Sequence, residues 1–222
     1  MTGLVVVVTG LRFEARIAAG GGVQVLCHQN ATLAAHLEAA LTQDCRGIVS
    51  FGIAGGLVDT LRPGEWVVAR TLTDGTRQID CDALWSESLL RALPTAHHVN
   101  MVGTRMPAIT PDAKRALHAA TGAAAVDMES QIVARIAQAR SIPFVCCRVI
   151  ADPVERTLPA AALAGVRSNG STDALAVLGS IVASPGQLPA LMQVARDAWI
   201  ARRALTRGRR NIGAGFGLMP GA

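Results

Sequence analysis

Apolar runs alternate with stretches of helical spacing along the 222 residues of the chain. Runs at 4–9, 23–27, 47–51, 65–72, 98–103 and 143–150 predict strands, and segments near 30–43, 112–120, 128–140, 172–183 and 187–206 carry the 3.6-residue period of helices. "GIVSF" and "FVCCRVI" are continuously apolar, which marks strands covered on both faces. This order predicts an α/β fold, a three-layer α/β/α sandwich with a central mixed, largely parallel sheet. One helix departs from simple patterning. In "AVDMESQIVARIA" (125–137), Glu129 shares the i, i+3, i+4, i+7 stripe of Ile132, Val133 and Ile136, so a carboxylate is aimed at the core. Such a group needs partners or a proton.

A chain of this length, half hydrophobic and only 17% charged, suits one sizeable core and not a disordered segment. Pro63-Gly64 and "SNGST" at 168–172 read as turns within a domain and not as linkers. A single domain over 1–207 is expected, followed by a glycine-rich stretch, 208–222, that should fray as a flexible tail. No apolar run approaches the roughly 18–20 residues that cross a bilayer. With no secretory n-region and an odd five cysteines, the expected location is cytoplasmic.

The net charge of +5 is concentrated, with Arg202, Arg203, Arg207, Arg209 and Arg210 in one stretch. These arginines read either as a solvated terminus or as a peripheral contact with anionic lipid at the inner membrane surface. With 3% aromatic residues and no tyrosine, nucleic-acid binding is not expected.

Ligands of open α/β sheets bind beyond the carboxyl ends of strands, so the residues just past each apolar run are the candidates for a site. The first run leads to Glu14, the third to the glycine loop "FGIAGGL" (51–57) and the last to Asp152. With Glu129, three carboxylates and a glycine loop are placed to meet in one crevice. Each acid also has a plain reading: Glu14 as a first-turn acid favoured by a helix dipole, Asp152 as a turn residue before Pro153. The glycines serve equally a tight corner or a close backbone approach to ligand. No metal-ligand spacing, serine elbow or phosphate loop is present, and the glycine loop is not a dinucleotide fingerprint.

"IVSFGIAGGL…LRPGEWVVA", "AVDMESQIVARIA" and "IPFVCCRVIADP" together resemble the nucleoside phosphorylase and methylthioadenosine/S-adenosylhomocysteine nucleosidase superfamily over residues 1–155. Within it the chain looks most like hopanoid-associated phosphorylases, to which removal of adenine from adenosylhopane is assigned. The resemblance implies that Glu129 accepts the ribose hydroxyls while Met128 packs on the sugar. Asp152 would donate a proton to N7 of the purine. Asp127 is placed in the substrate region as a cap or structural acid. Gly52, Ile53 and Ala54 belong to the glycine loop of the site, and Met106 with Pro107 would hold the adenine.

Phosphorylases of the superfamily carry an arginine near position 14, whereas nucleosidases carry a glutamate that activates water. Glu14 therefore favours hydrolysis. Inorganic phosphate remains a co-substrate in the other branch, held by Arg12, Arg16 or loop amides. No metal or organic cofactor is expected, and relatives are often homo-oligomers. Two alternatives stand beside the adenosylhopane reading: a nucleoside-binding protein that has lost turnover, suggested by Ile53, and a phosphorylase of simple purine nucleosides.

Overall fold

A computed structural model describes residues 4–28, 31–159, 186 and 188–218; the helix expected at 172–183 and the turn at 168–172 lie outside them. The apolar runs become strands close to where their composition places them: β1 (Leu4–Thr9), β2 (Val23–Cys27), β3 (Cys45–Gly56) and β4 (Trp66–Thr73). Two short strands, β5 (Gln78–Asp80) and β7 (Ala125–Asp127), flank β6 (His97–Gly103) in sequence, and β8 (Phe144–Asp152) closes the series. The helices are α1 (Arg12–Ala18), α2 (Ala31–Ala40), α3 (Ala83–Ala92), α4 (Pro111–Thr121), α5 (Ser130–Ala139) and α6 (Leu188–Ile212).

The continuous apolar runs are explained by two cores, one on each face of the sheet. Val6 and Val8 join Leu33, Leu37 and Val133 of α2 and α5, whereas Val5 and Val7 join Trp85, Leu89 and Leu205 of α3 and α6. Side chains of a strand alternate between faces, so a strand covered twice needs apolar residues at every position. Burying each such valine or leucine contributes about 1.5–3 kcal/mol.

Five of the eight strand ladders are parallel, as expected of a mixed, largely parallel sheet. The sheet also curls. β3 pairs with β1 through its first half, then leaves it and pairs Gly55 and Gly56 with β7. On its other edge β3 pairs with β8, β8 with β4, β4 with β6 and β6 with β7, closing a ring of ladders. The stretch anticipated as a glycine loop is therefore strand: Ile48–Gly55 of β3 hydrogen-bonds along β8.

The C-terminal stretch corrects the expectation of a fraying tail as far as Leu218. α6 continues to Ile212, with Gly208 against the Trp66 indole, where any larger residue would collide. Phe216 is fully buried, meets the Phe51 ring edge-on at 5.1 Å and lies 4.3 Å from the Arg209 guanidinium. Trp85 Nε1 donates to the Phe216 carbonyl at 2.7 Å. Glycine content suggested flexibility, but one buried phenylalanine and a helix glycine that admits a tryptophan outweigh it.

Candidate active site

A cavity of about 310 Å³ opens beyond the carboxyl ends of β1, β3 and β8. Each contributes a carboxylate or its support. Beyond β1, Glu14 on α1 turns back on its own helix start: Oε2 accepts from the amides of Gly10 (3.0 Å) and Leu11 (2.8 Å), and Oε1 from Ile53 of β3 (2.8 Å). Those amides favour the ionised form, and Arg148 adds to them, but complete burial dominates and raises the pKa. Three bonds leave one acceptor site on the carboxylate. Gly52 makes the approach feasible, since a Cβ there would collide with the Glu14 carboxylate, and its φ of +154° disfavours other residues.

Glu129 stands at the start of α5, 7% exposed, as the helical stripe requires. Burial raises its pKa to about 7, opposed chiefly by Arg148, whose guanidinium lies 3.4 Å away. Gly10 gives it room: a Cβ on Gly10 would sit 2.6 Å from Glu129 Oε1.

Asp152 ends β8. Burial raises its pKa to about 6, against the opposing charge of Lys114. Lys114 Nζ donates to Asp152 Oδ1 at 2.8 Å.

Glu14, Ile53, Ala54, Pro107, Asp127, Met128, Glu129 and Asp152 all border this one cavity. Two expected residues do not. Gly52 lies behind Glu14, and Met106 is 75% exposed, with its carbonyl accepting from Thr104 Oγ1 at 2.8 Å. Asp127 borders the cavity, but its carboxylate is occupied as cap and ion-pair partner, accepting from the Ser130 amide (3.2 Å) and hydroxyl and pairing with Arg148. Ser50 of β3 is buried beneath the cavity and accepts from Arg148 at 2.7 Å. Neither Arg12 nor Arg16 borders the cavity.

Sequence reasoning missed two cations. Arg148, 1% exposed, also donates to the Ile53 carbonyl at 3.0 Å and so ties β8 to the cavity edge of β3. Lys114 shares a stripe of α4 with Leu117 and Thr121, a spacing that was available as a sign of an inward lysine. Leu158, and Val194 and Ala198 of α6, add an apolar wall.

The decisive comparison is with sequence families, where the phosphorylase superfamily matches residues 3–183. The chain belongs to the phosphorylase superfamily. The superfamily includes enzymes that break N-glycosyl bonds, and this superfamily chain is one of them. Solved structures agree on the fold at low identity. The 5′-methylthioadenosine/S-adenosylhomocysteine nucleosidase of Helicobacter pylori superposes with a TM-score of 0.65 at 13% identity, over 93% of this chain and 97% of that one. Futalosine hydrolase of the same organism gives 0.65 at 14%, over 95% and 98%. The corresponding nucleosidase of Colwellia psychrerythraea, in complex with adenine, gives 0.64 at 15%, over 81% and 96%. No curated protein matches in sequence.

Proposed function

We propose that the chain hydrolyses the N-glycosidic bond of an adenosine-type nucleoside carrying a large apolar 5′ substituent, adenosylhopane-like, and releases adenine. The observation that carries this reading is the meeting of Glu14, Glu129 and Asp152 around one cavity. Asp152, its pKa raised, delivers a proton to N7 as the C1′–N9 bond breaks and its electron pair passes to the base. Glu129 accepts the ribose hydroxyls and offers negative charge to the oxocarbenium-like sugar. Water, held at the free acceptor site of Glu14, forms the new bond to C1′ and gives up its proton to that carboxylate.

Water is favoured over phosphate by the fate of the cations. Arg148 is engaged by Asp127, Glu129, Ser50 and the Ile53 carbonyl, and Lys114 by its own acceptors. A dianion would meet the carboxylates of Glu14 and Glu129 in the same cavity. The fold neighbours named as a nucleosidase and a hydrolase support the same choice. The apolar wall of Leu158, Val194 and Ala198 supports an apolar 5′ group. Contact with anionic lipid is supported by Arg202, Arg203, Arg207 and Arg210, which are exposed on α6 beside a half-exposed Trp199.

The test is adenine release from 5′-alkyl and 5′-polar adenosines, with and without phosphate, and sedimentation with phosphatidylglycerol or phosphatidylcholine vesicles. Release without phosphate, faster for 5′-alkyl substrates, and sedimentation with the anionic vesicles alone are expected. Strict dependence on phosphate would overturn the hydrolytic reading. A preference for 5′-polar substrates would overturn the apolar one.

A further inference from the structure

The ammonium of Lys114 is wholly buried, and its three protons have three acceptors: Asp152 Oδ1, the Pro153 carbonyl and the Arg156 carbonyl, each at 2.8 Å. Lysines are almost never fully buried without such pairing, and burial alone pushes this pKa down. Lys114 does not border the cavity. It reaches the site through Asp152. Asp152 Oδ2 lies on the other side of that carboxyl, 3.6 Å from where a Cβ on Gly55 would stand, and Gly55 is part of the cavity wall.

We propose that Lys114 is a positioning residue for N-glycosidic cleavage: it holds Asp152 by Oδ1 so that Oδ2 is the oxygen presented to the leaving base. The inference rests on the reading of Asp152 as the general acid. The geometry has a reason. A carboxyl at a strand end is free to rotate about its last bond, and a proton delivered from the wrong rotamer misses its target by an ångström or more. The lysine also locks the turn after β8, because its other two bonds hold the carbonyls of Pro153 and Arg156. Arg156 in turn donates to Asp197 of α6 at 2.9 Å.

The same cation sets the balance between the two forms of Asp152. The charged groups that bear on this carboxyl are Lys114 from α4, Arg156 from the turn and Asp197 from α6, with Glu155 acting on Lys114 itself. Lys114 and Arg156 favour the ionised acid, while burial and Asp197 favour the neutral one. Removing Lys114 must therefore keep Asp152 protonated to higher pH, while loosening its aim.

The test compares kcat and KM for adenine release across pH in wild type, Lys114→Met, Lys114→Gln and Asp152→Asn. Lys114→Met is expected to lower kcat about 10- to 100-fold with KM changed less than about threefold, and to move the alkaline limb of kcat upward. Lys114→Gln keeps a donor for Oδ1 without charge, so it should show the same upward movement with a smaller loss of kcat. It covers the case in which Met is not accommodated. A folded Lys114→Met with wild-type kcat and an unmoved limb overturns the proposal, as does a loss of kcat with the limb in place. Asp152→Asn separates the two readings. If it keeps wild-type turnover, the assignment of Asp152 as the acid fails. If it is inactive while the lysine variants behave as wild type, only the role of Lys114 fails.

Discussion

The Glu14 carboxylate accepts the amide proton of Ile53 at 2.8 Å, joining α1 to β3 across 39 residues of sequence. The bond fixes a buried acid at the cavity edge and leaves one acceptor site for water. Glu14→Gln replaces one oxygen with a donor that must face an amide donor from Gly10, Leu11 or Ile53. We expect about a 10²-fold loss of adenine release in phosphate-free buffer, together with about 1–3 kcal/mol of lost stability. Undiminished turnover of this variant in phosphate-free buffer would remove Glu14 from the chemistry.

The pH dependence arises from raised carboxyls with opposite required states: the acid, Asp152, against Glu129 and Glu14, which act ionised. Asp152, near 6, acts when protonated, and Glu129, near 7, when ionised. The productive form is then a minority species whose population peaks between the two, so kcat/KM should be bell-shaped with its maximum between about pH 6 and 7. Stability has its own sign. A carboxyl whose folded pKa is raised holds its proton more tightly folded than unfolded, so it stabilises the fold at low pH and loses that contribution as pH rises through the folded value. Glu129→Gln should therefore gain stability relative to wild type as pH rises from about 4.5 through about 7, while losing activity. Chemical denaturation of both proteins at pH 5 and pH 8 checks it; a constant difference would contradict the raised pKa.

Much of this arrangement could be read from residue order. Apolar runs located six of the eight strands, because a doubly covered strand has little choice of composition. The helical period alone aimed Glu129 inward, and the carboxyl ends of the first and last of these strands located Glu14 and Asp152. β5 and β7 escaped because three residues carry too little pattern, and β7 lies in the run-up to α5 that reads as helix. The misplaced Met106 shows a different limit: an apolar side chain beside the site is 75% exposed, which its polarity alone does not indicate. Lys114 and Arg148 were missed because charge normally means surface. Only tertiary pairing with Asp152, Asp127 and Glu129 makes their burial tolerable.

Arg148 supports the site more than it serves the substrate. Its guanidinium joins Asp127, Glu129, Ser50 and the Ile53 carbonyl in a fully buried network. Arg148→Met removes the cation that pairs with two buried acids, and breaking such a pair from one side costs about 3–5 kcal/mol. We expect a loss of that order in chemical denaturation. Asp127→Asn, which keeps an acceptor for Ser130, should lose less. Equal losses would mean that the Asp127–Arg148 ion pair, and not the other contacts of Arg148, holds this region.

Gly10 offers a test of the site that spares the fold. Its φ is not in the left-handed region, so alanine is compatible with the backbone and should slightly stabilise the chain by restricting its unfolded form, by about 0.4–1 kcal/mol at most. The new methyl would nevertheless lie 2.6 Å from Glu129 Oε1, closer than any ordinary contact. The Glu129 carboxylate must then swing away from Gly10, since the amides of Ile132 and Val133 in α5 hold the Glu129 carbonyl and keep its backbone in place. Gly10→Ala should lower kcat/KM for nucleosides by about tenfold or more, which corresponds to about 1.4 kcal/mol of transition-state stabilisation, with thermal unfolding scarcely changed. Steady-state kinetics beside a melting curve decides it. Unchanged kinetics in a folded Gly10→Ala would mean that Glu129 recognises the sugar from another position, and the carboxylate wall would have to be reassigned.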